Sequence, residues 1–77
     1  MSIEVLFFGS LTDFTAASSL VAGDLLDTNA VKKFLEEKYP SLKTAKYFIA
    51  VNKQMIQNNT TLKPGDIVAL MPPFSGG

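Results

Sequence analysis

Ile67-Val-Ala-Leu-Met71 is the most apolar run of the chain, and it passes without a linker into Pro72-Pro-Phe-Ser-Gly-Gly77. Five apolar residues in a row, entered from the turn Lys63-Pro-Gly-Asp66, read as a strand at the centre of a sheet, covered on both faces. The proline pair stops the strand, because proline fixes φ and offers no backbone donor to a ladder. A central strand needs neighbours, and the start of the chain supplies one. Ile3-Glu-Val-Leu-Phe-Phe8 is rich in β-branched and aromatic residues and ends at Gly9-Ser10. It reads as a second strand, placed beside the last. Alternation puts Ile3, Val5 and Phe7 on one of its faces and Glu4, Leu6 and Phe8 on the other.

The stretch between these strands fills in the remaining layer. Residues 10–18 are small and polar and read as a loop or a short helical turn. Ser19-Leu-Val-Ala22 is a weak strand, antiparallel to the first. Asp27-Thr28-Asn29 offers helix N-caps, and Ala30, Val31, Phe34, Leu35, Tyr39 and Leu42 follow at the spacing of one helix face. Pro40 ends that helix near Lys38 or Tyr39. Lys46-Tyr-Phe-Ile-Ala-Val51 is a third long strand, Asn52-Lys53-Gln54 a turn, and Met55-Ile56 a short return strand. The order is strand, strand, helix, strand, short strand, strand. It predicts an α+β fold, a mixed sheet of four to five strands with one main helix packed on one face. At 77 residues the expectation is one domain over 1–77, with 72–77 as an extended tail.

Composition narrows the chemistry. Cysteine and histidine are absent, so there is no thiol nucleophile, no imidazole base and no thiolate or imidazole metal site. Seven lysines balance seven acids, and no arginine occurs. That balance lacks the basic footprint of a nucleic-acid binder. No apolar run approaches the roughly 20 residues of a membrane span, and the N-terminus lacks the basic region of a secretory signal. The expectation is a cytoplasmic protein without catalytic machinery, bound metal or bound cofactor of its own. Glu36-Glu37 and Asp24/Asp27 read as a solvated helix face and a helix N-terminus. Met55 and Met71 read as core filler.

The tail is the feature that composition does not explain. Pro72 and Pro73 hold it extended as it leaves the sheet. Phe74 is a large apolar side chain at a place the domain cannot bury, Ser75 is small, and Gly76 and Gly77 have no Cβ, so the end can enter a channel too narrow for side chains. This pattern predicts insertion into a partner, with Phe74 as an anchor and the Gly77 carboxylate as the reactive end. The alternative is an ordinary frayed terminus.

Leu6-Phe-Phe-Gly9, Val51-Asn52, Leu62-Lys-Pro-Gly-Asp66 and above all Pro72-Pro-Phe-Ser-Gly-Gly77 resemble the small-subunit family of molybdopterin synthase. The resemblance covers the chain in length and element order, and it implies a ubiquitin-like sulfur carrier with a β-grasp fold. It further implies that an E1-like adenylating enzyme activates the Gly77 carboxylate with ATP, and that a persulfide sulfur donor converts it to a thiocarboxylate. The carrier would then dock on the large synthase subunit in a hetero-oligomer and pass sulfur to a pterin precursor. Many members carry an Arg-Glu pair shortly after the double phenylalanine. Here that stretch is Ser10-Leu-Thr-Asp-Phe14, without arginine.

A sheet covered by one helix leaves its second face open, and an open apolar face marks a partner surface. Alternation assigns Leu6, Phe8 and Phe48 to that face and adds Val68 and Leu70 from the last strand. The competing expectation is that residues 10–26 fold over it. Other functions consistent with the sequence are sulfur delivery for thiamine synthesis or tRNA thiolation, a ubiquitin-like protein modifier, and a binding module with an inert terminus.

Overall fold

In the computed structural model, which describes residues 2–15 and 17–73, β5 (Ile67–Met71) lies between β1 (Ile3–Phe7) and β3 (Phe48–Val51). It runs parallel to β1, with Val5 opposite Val68 and Phe7 opposite Leu70, and antiparallel to β3, with Ile49 opposite Leu70 and Val51 opposite Val68. β2 (Ser19–Ala22) adds to the outer edge of β1, and β4 (Gln54–Ile56) to the outer edge of β3, so the sheet order is β2-β1-β5-β3-β4. A parallel pair cannot be closed by a tight turn. The whole middle of the chain is therefore the crossover from β1 to β5. It carries the long helix α2 (Thr28–Lys38) across one face of the sheet. This is the β-grasp arrangement.

The covered face holds the core. Ile3, Val5, Phe7, Val68 and Leu70 from the sheet meet Val31 and Leu35 from α2, all nearly inaccessible to solvent. Leu11, in the single 3₁₀ turn Gly9–Leu11, and Leu42, in the 3₁₀ turn Pro40–Lys43, close the same cluster. Leu42 therefore reaches the core from beyond the helix, because Pro40 breaks α2 at Tyr39 before Leu42 can join its face. The short helix α1 (Thr12–Thr15) follows Leu11, and Thr15 is buried. Leu11, Leu20 and Leu25 pack into or against the α2-side core, so the described part of residues 10–26 does not cover the other face as the competing expectation required.

Two polar junctions hold the crossover in place. At the first, Asp27 caps α2 by accepting from the Ala30 N–H (2.9 Å), and Asn59 Oδ1 accepts from the Asn29 N–H (2.8 Å). The Asn59 amide also donates to Asp27 Oδ2 (3.2 Å), so a loop 30 residues downstream completes the helix cap. Thr28 and Thr60 add a reciprocal pair: the Thr28 N–H donates to the Thr60 carbonyl, and the Thr60 N–H to Thr28 Oγ1, both at 2.9 Å. At the second junction, Asn52 joins the β3–β4 turn to the start of β5. Its amide donates to Asp66 Oδ1 (3.0 Å), and its Oδ1 accepts from the Ile67 N–H (3.0 Å). Asp66 Oδ2 accepts from the Lys63 N–H (2.8 Å) within the Pro64-Gly65 turn, where Gly65 has φ +89°. These bonds, first from Asn52 and then from Lys63, hold the Asp66 carboxyl below the usual carboxylate range.

Asp27→Ala should lower stability by about 1–2 kcal/mol in urea unfolding, the usual loss for a helix cap. A depressed carboxyl contributes stability that is complete above the unfolded pKa of about 3.9 and is lost as pH falls through the lower folded value. The wild-type urea midpoint should therefore drop on acidification below about pH 4, and Asp66→Asn should show a shallower drop over the same window. Equal pH slopes for the two proteins would contradict the assignment.

Candidate functional site

Among the described residues no element covers the face of the sheet turned away from α2. Leu6 lies on it part-buried, and Phe8 and Phe48 are 47% and 46% exposed. The structure thus brings together three of the five apolar sheet residues expected there. Leu70 is the exception, together with Val68. Both are 0% exposed and point into the α2-side core. The reason is register. β5 runs parallel to β1 with Val5 opposite Val68 and Phe7 opposite Leu70, so these residues share the buried face of β1. The alternate set, Ile67, Ala69 and Met71, lies on the open face. Read alone, a continuous apolar run gives no phase, and only pairing supplies it. The expectation that β5 is covered on both faces is also corrected, since Ile67 is 39% exposed.

Met55 and Met71 were expected in the core, and the structure places both on the open face. Met55 sits opposite Ala50 in β4 and is 56% exposed; Met71 sits opposite Phe48. Phe8, Gly9, Phe48, Met55, Met71 and Pro72 line a hollow of about 400 Å³ at the end of the sheet where the tail departs. A second hollow of about 320 Å³ continues along the face between Leu6, Phe8, Asn52, Lys53, Ile67 and Ala69. Phe8 is common to both, so the two form one apolar surface with Lys53 at its far end.

Gly9 sets the direction in which the tail leaves. It has φ +59°, a conformation that favours glycine. A Cβ there would stand 3.0 Å from Pro72 Cγ and 3.4 Å from Pro72 Cδ. The glycine after the double phenylalanine thus lets the first tail proline pack against the end of β1. The Phe8 N–H donates to the Leu70 carbonyl at 3.0 Å, which fixes this corner to β5 two residues before Pro72. Pro72 is part-buried and Pro73 exposed. Phe74, Ser75, Gly76 and Gly77 lie outside the described residues.

Among the described residues no group of three or more Asp or Glu side chains is placed to hold a metal ion. No helix among them is long and apolar enough to cross a membrane. The Tyr47 hydroxyl donates to Glu36 Oε2 at 2.8 Å, and burial followed by that bond pushes the phenol above its usual range; this pins the residue before β3 to α2.

Fold and face together define a ubiquitin-like β-grasp domain with an open apolar sheet surface at the root of its tail. The chain belongs to the ThiS family, whose profile matches residues 5–77. A Haemophilus influenzae protein named molybdopterin synthase sulfur carrier subunit is 26% identical, over 97% of this chain and 99% of that protein. Among solved structures, a chain from the protein–protein complex of subunits 1 and 2 of molybdopterin-converting factor of Helicobacter pylori is 33% identical. It aligns over the full length of both chains with a TM-score of 0.78. The small archaeal modifier protein 1 of Methanosarcina acetivorans is 25% identical over 99% of this chain and 96% of that one, with a TM-score of 0.82.

The face assignment predicts a contrast between two large apolar residues on neighbouring strands. Leu70→Ala should cost about 2–5 kcal/mol, as for a buried leucine. Phe48→Ala should cost about 1 kcal/mol or less, as for a surface position. Similar losses at both positions in chemical denaturation would contradict it.

Proposed function

We propose that this protein is the sulfur carrier subunit of a molybdopterin synthase. The observation that carries the reading is the open face of Leu6, Phe8, Phe48, Met55, Ile67 and Met71, continuous at Pro72 with the start of the tail. Such a surface suits a partner that grips the sheet while receiving the tail, with Phe74 as an anchor and Ser75, Gly76 and Gly77 threading onward. Full-length similarity to a subunit solved in complex with a second subunit supports a large-subunit partner for this chain.

The chemistry assigned to the tail follows from what a carboxylate lacks. Its oxygen is a poor leaving group, and this chain has no cysteine or histidine to assist it. In the proposed sequence an E1-like adenylating enzyme brings ATP. The Gly77 carboxylate attacks the α-phosphorus and pyrophosphate leaves. A persulfide sulfur on a donor protein then attacks the activated carbonyl, and AMP leaves. Cleavage of the S–S bond by a thiol gives the thiocarboxylate. On the large subunit, that sulfur attacks a carbon of the pterin precursor and displaces an oxygen leaving group; water then cleaves the resulting thioester, which leaves the sulfur on the pterin and returns the Gly77 carboxylate. The residues of this chain bind and aim, while the groups that stabilise charge and move protons belong to the partners. The use of ATP by a separate enzyme, with no cofactor held by the carrier, fits a cytoplasmic setting.

The reading is tested by reconstitution with a large subunit, an adenylating enzyme, ATP and a persulfide donor, scored by molybdopterin formed. Deleting Gly76-Gly77 should reduce product to background without changing the urea midpoint. Phe48→Asp should weaken large-subunit binding about tenfold or more, since it buries a carboxylate in an apolar contact. A deletion variant that still supports product formation would overturn the carrier assignment in favour of a binding module.

A further inference from the structure

We propose that the open sheet face also pairs with a second copy of this chain, in a two-fold dimer whose axis lies along β5. The order of side chains across the face selects this pairing, whatever the chain carries on its tail. Three rows cross it. The first runs Val21, Glu4, Ile67 and then Asn52, whose N–H donates to the Ile67 carbonyl (2.8 Å), with Lys53 beside it on the same hollow. The second runs Ser19, Leu6, Ala69, Ala50 and Met55. The third holds Phe8, Met71 and Phe48.

A two-fold axis along β5 lays β1 over β3 of the second copy and β2 over its β4. Each row then meets its own reverse. Glu4 faces Asn52 and Lys53 of the second copy. Leu6 faces the small Ala50, and Met55 faces the small Ser19, so large side chains oppose small ones. Phe8 faces Phe48, and the axial residues Ile67, Ala69 and Met71 face themselves. An axis across the strands would instead press Glu4 toward the Phe8 end of the face, burying a carboxylate against aromatic side chains. Charge and size thus select one axis. Aligned packing of two sheet faces is an ordinary geometry, and a chain of zero net charge meets no long-range repulsion from its own copy. Dimer formation and docking of a different partner compete for the same surface, so the dimer covers the apolar face while no such partner is bound.

Sedimentation equilibrium of the full chain at low salt, up to about 1 mM, tests this. The expected result is a reversible monomer–dimer equilibrium. The Glu4–Lys53 pair occurs twice by symmetry, so Glu4→Lys and Lys53→Asp should each weaken the dimer about tenfold, and the double variant should recover most of the loss. Ile67→Lys, which sets two like charges together on the axis, should give monomer, with circular dichroism confirming the fold. A monomer throughout the range would overturn the proposal. So would a dimer indifferent to the single reversals, or a double variant no better than the singles.

Discussion

The parallel pairing of β5 with β1 is the constraint from which the rest of the structure follows. It makes everything between these strands a crossover, and the crossover brings α2 over one face. It sets the phase of β5, so that Val68 and Leu70 are buried beside Val5 and Phe7, while Ile67, Ala69 and Met71 are left on the other side. A chain of this length has one long helix to give, and the second face stays open. The polar junctions serve the same end. Asn59 and Asp27 hold α2 at its start, and Asn52 and Asp66 hold the entry of β5.

The site is a by-product of that economy of elements. An uncovered face collects the apolar side chains that alternation sends away from the core. Because β5 is the last strand, its far end meets the tail at the same place. Gly9 and Pro72 make the corner at which one passes into the other. The open face and the root of the tail at Pro72 are therefore neighbours by topology.

Much of this was legible in the residues. The alternation in Ile3–Phe8 gave the correct faces of β1 because Glu4 marks the wet side. Asp27 and Pro40 bracketed α2, since capping and proline sterics act locally. The Pro64-Gly65 turn was plain for the same reason. What could not be read was phase in a stretch with no polar marker. Ile67–Met71 offers five apolar residues and no glutamate, so Leu70 was assigned to the open face and Met71 to the core, the reverse of what register dictates. Met55 was misplaced because a three-residue edge strand has too short a pattern to show a face. The third strand begins at Phe48 rather than Lys46 because pairing with β5 ends at Phe48 opposite Met71. The tail is legible in its residue chemistry and family resemblance, and its last four residues lie outside the described residues.

The central claim, that Gly77 carries sulfur, is tested most directly by fragment mass spectrometry of the C-terminal peptide after co-expression with an adenylating enzyme and a sulfur donor. Intact mass is not sufficient, because oxidation of any of the three methionines shifts it almost equally. Fragment ions that place one sulfur in exchange for one oxygen on Gly77, clear of Met71, are the predicted result. An unmodified carboxylate on Gly77, with ATP and both partners present and active on another carrier, would contradict it.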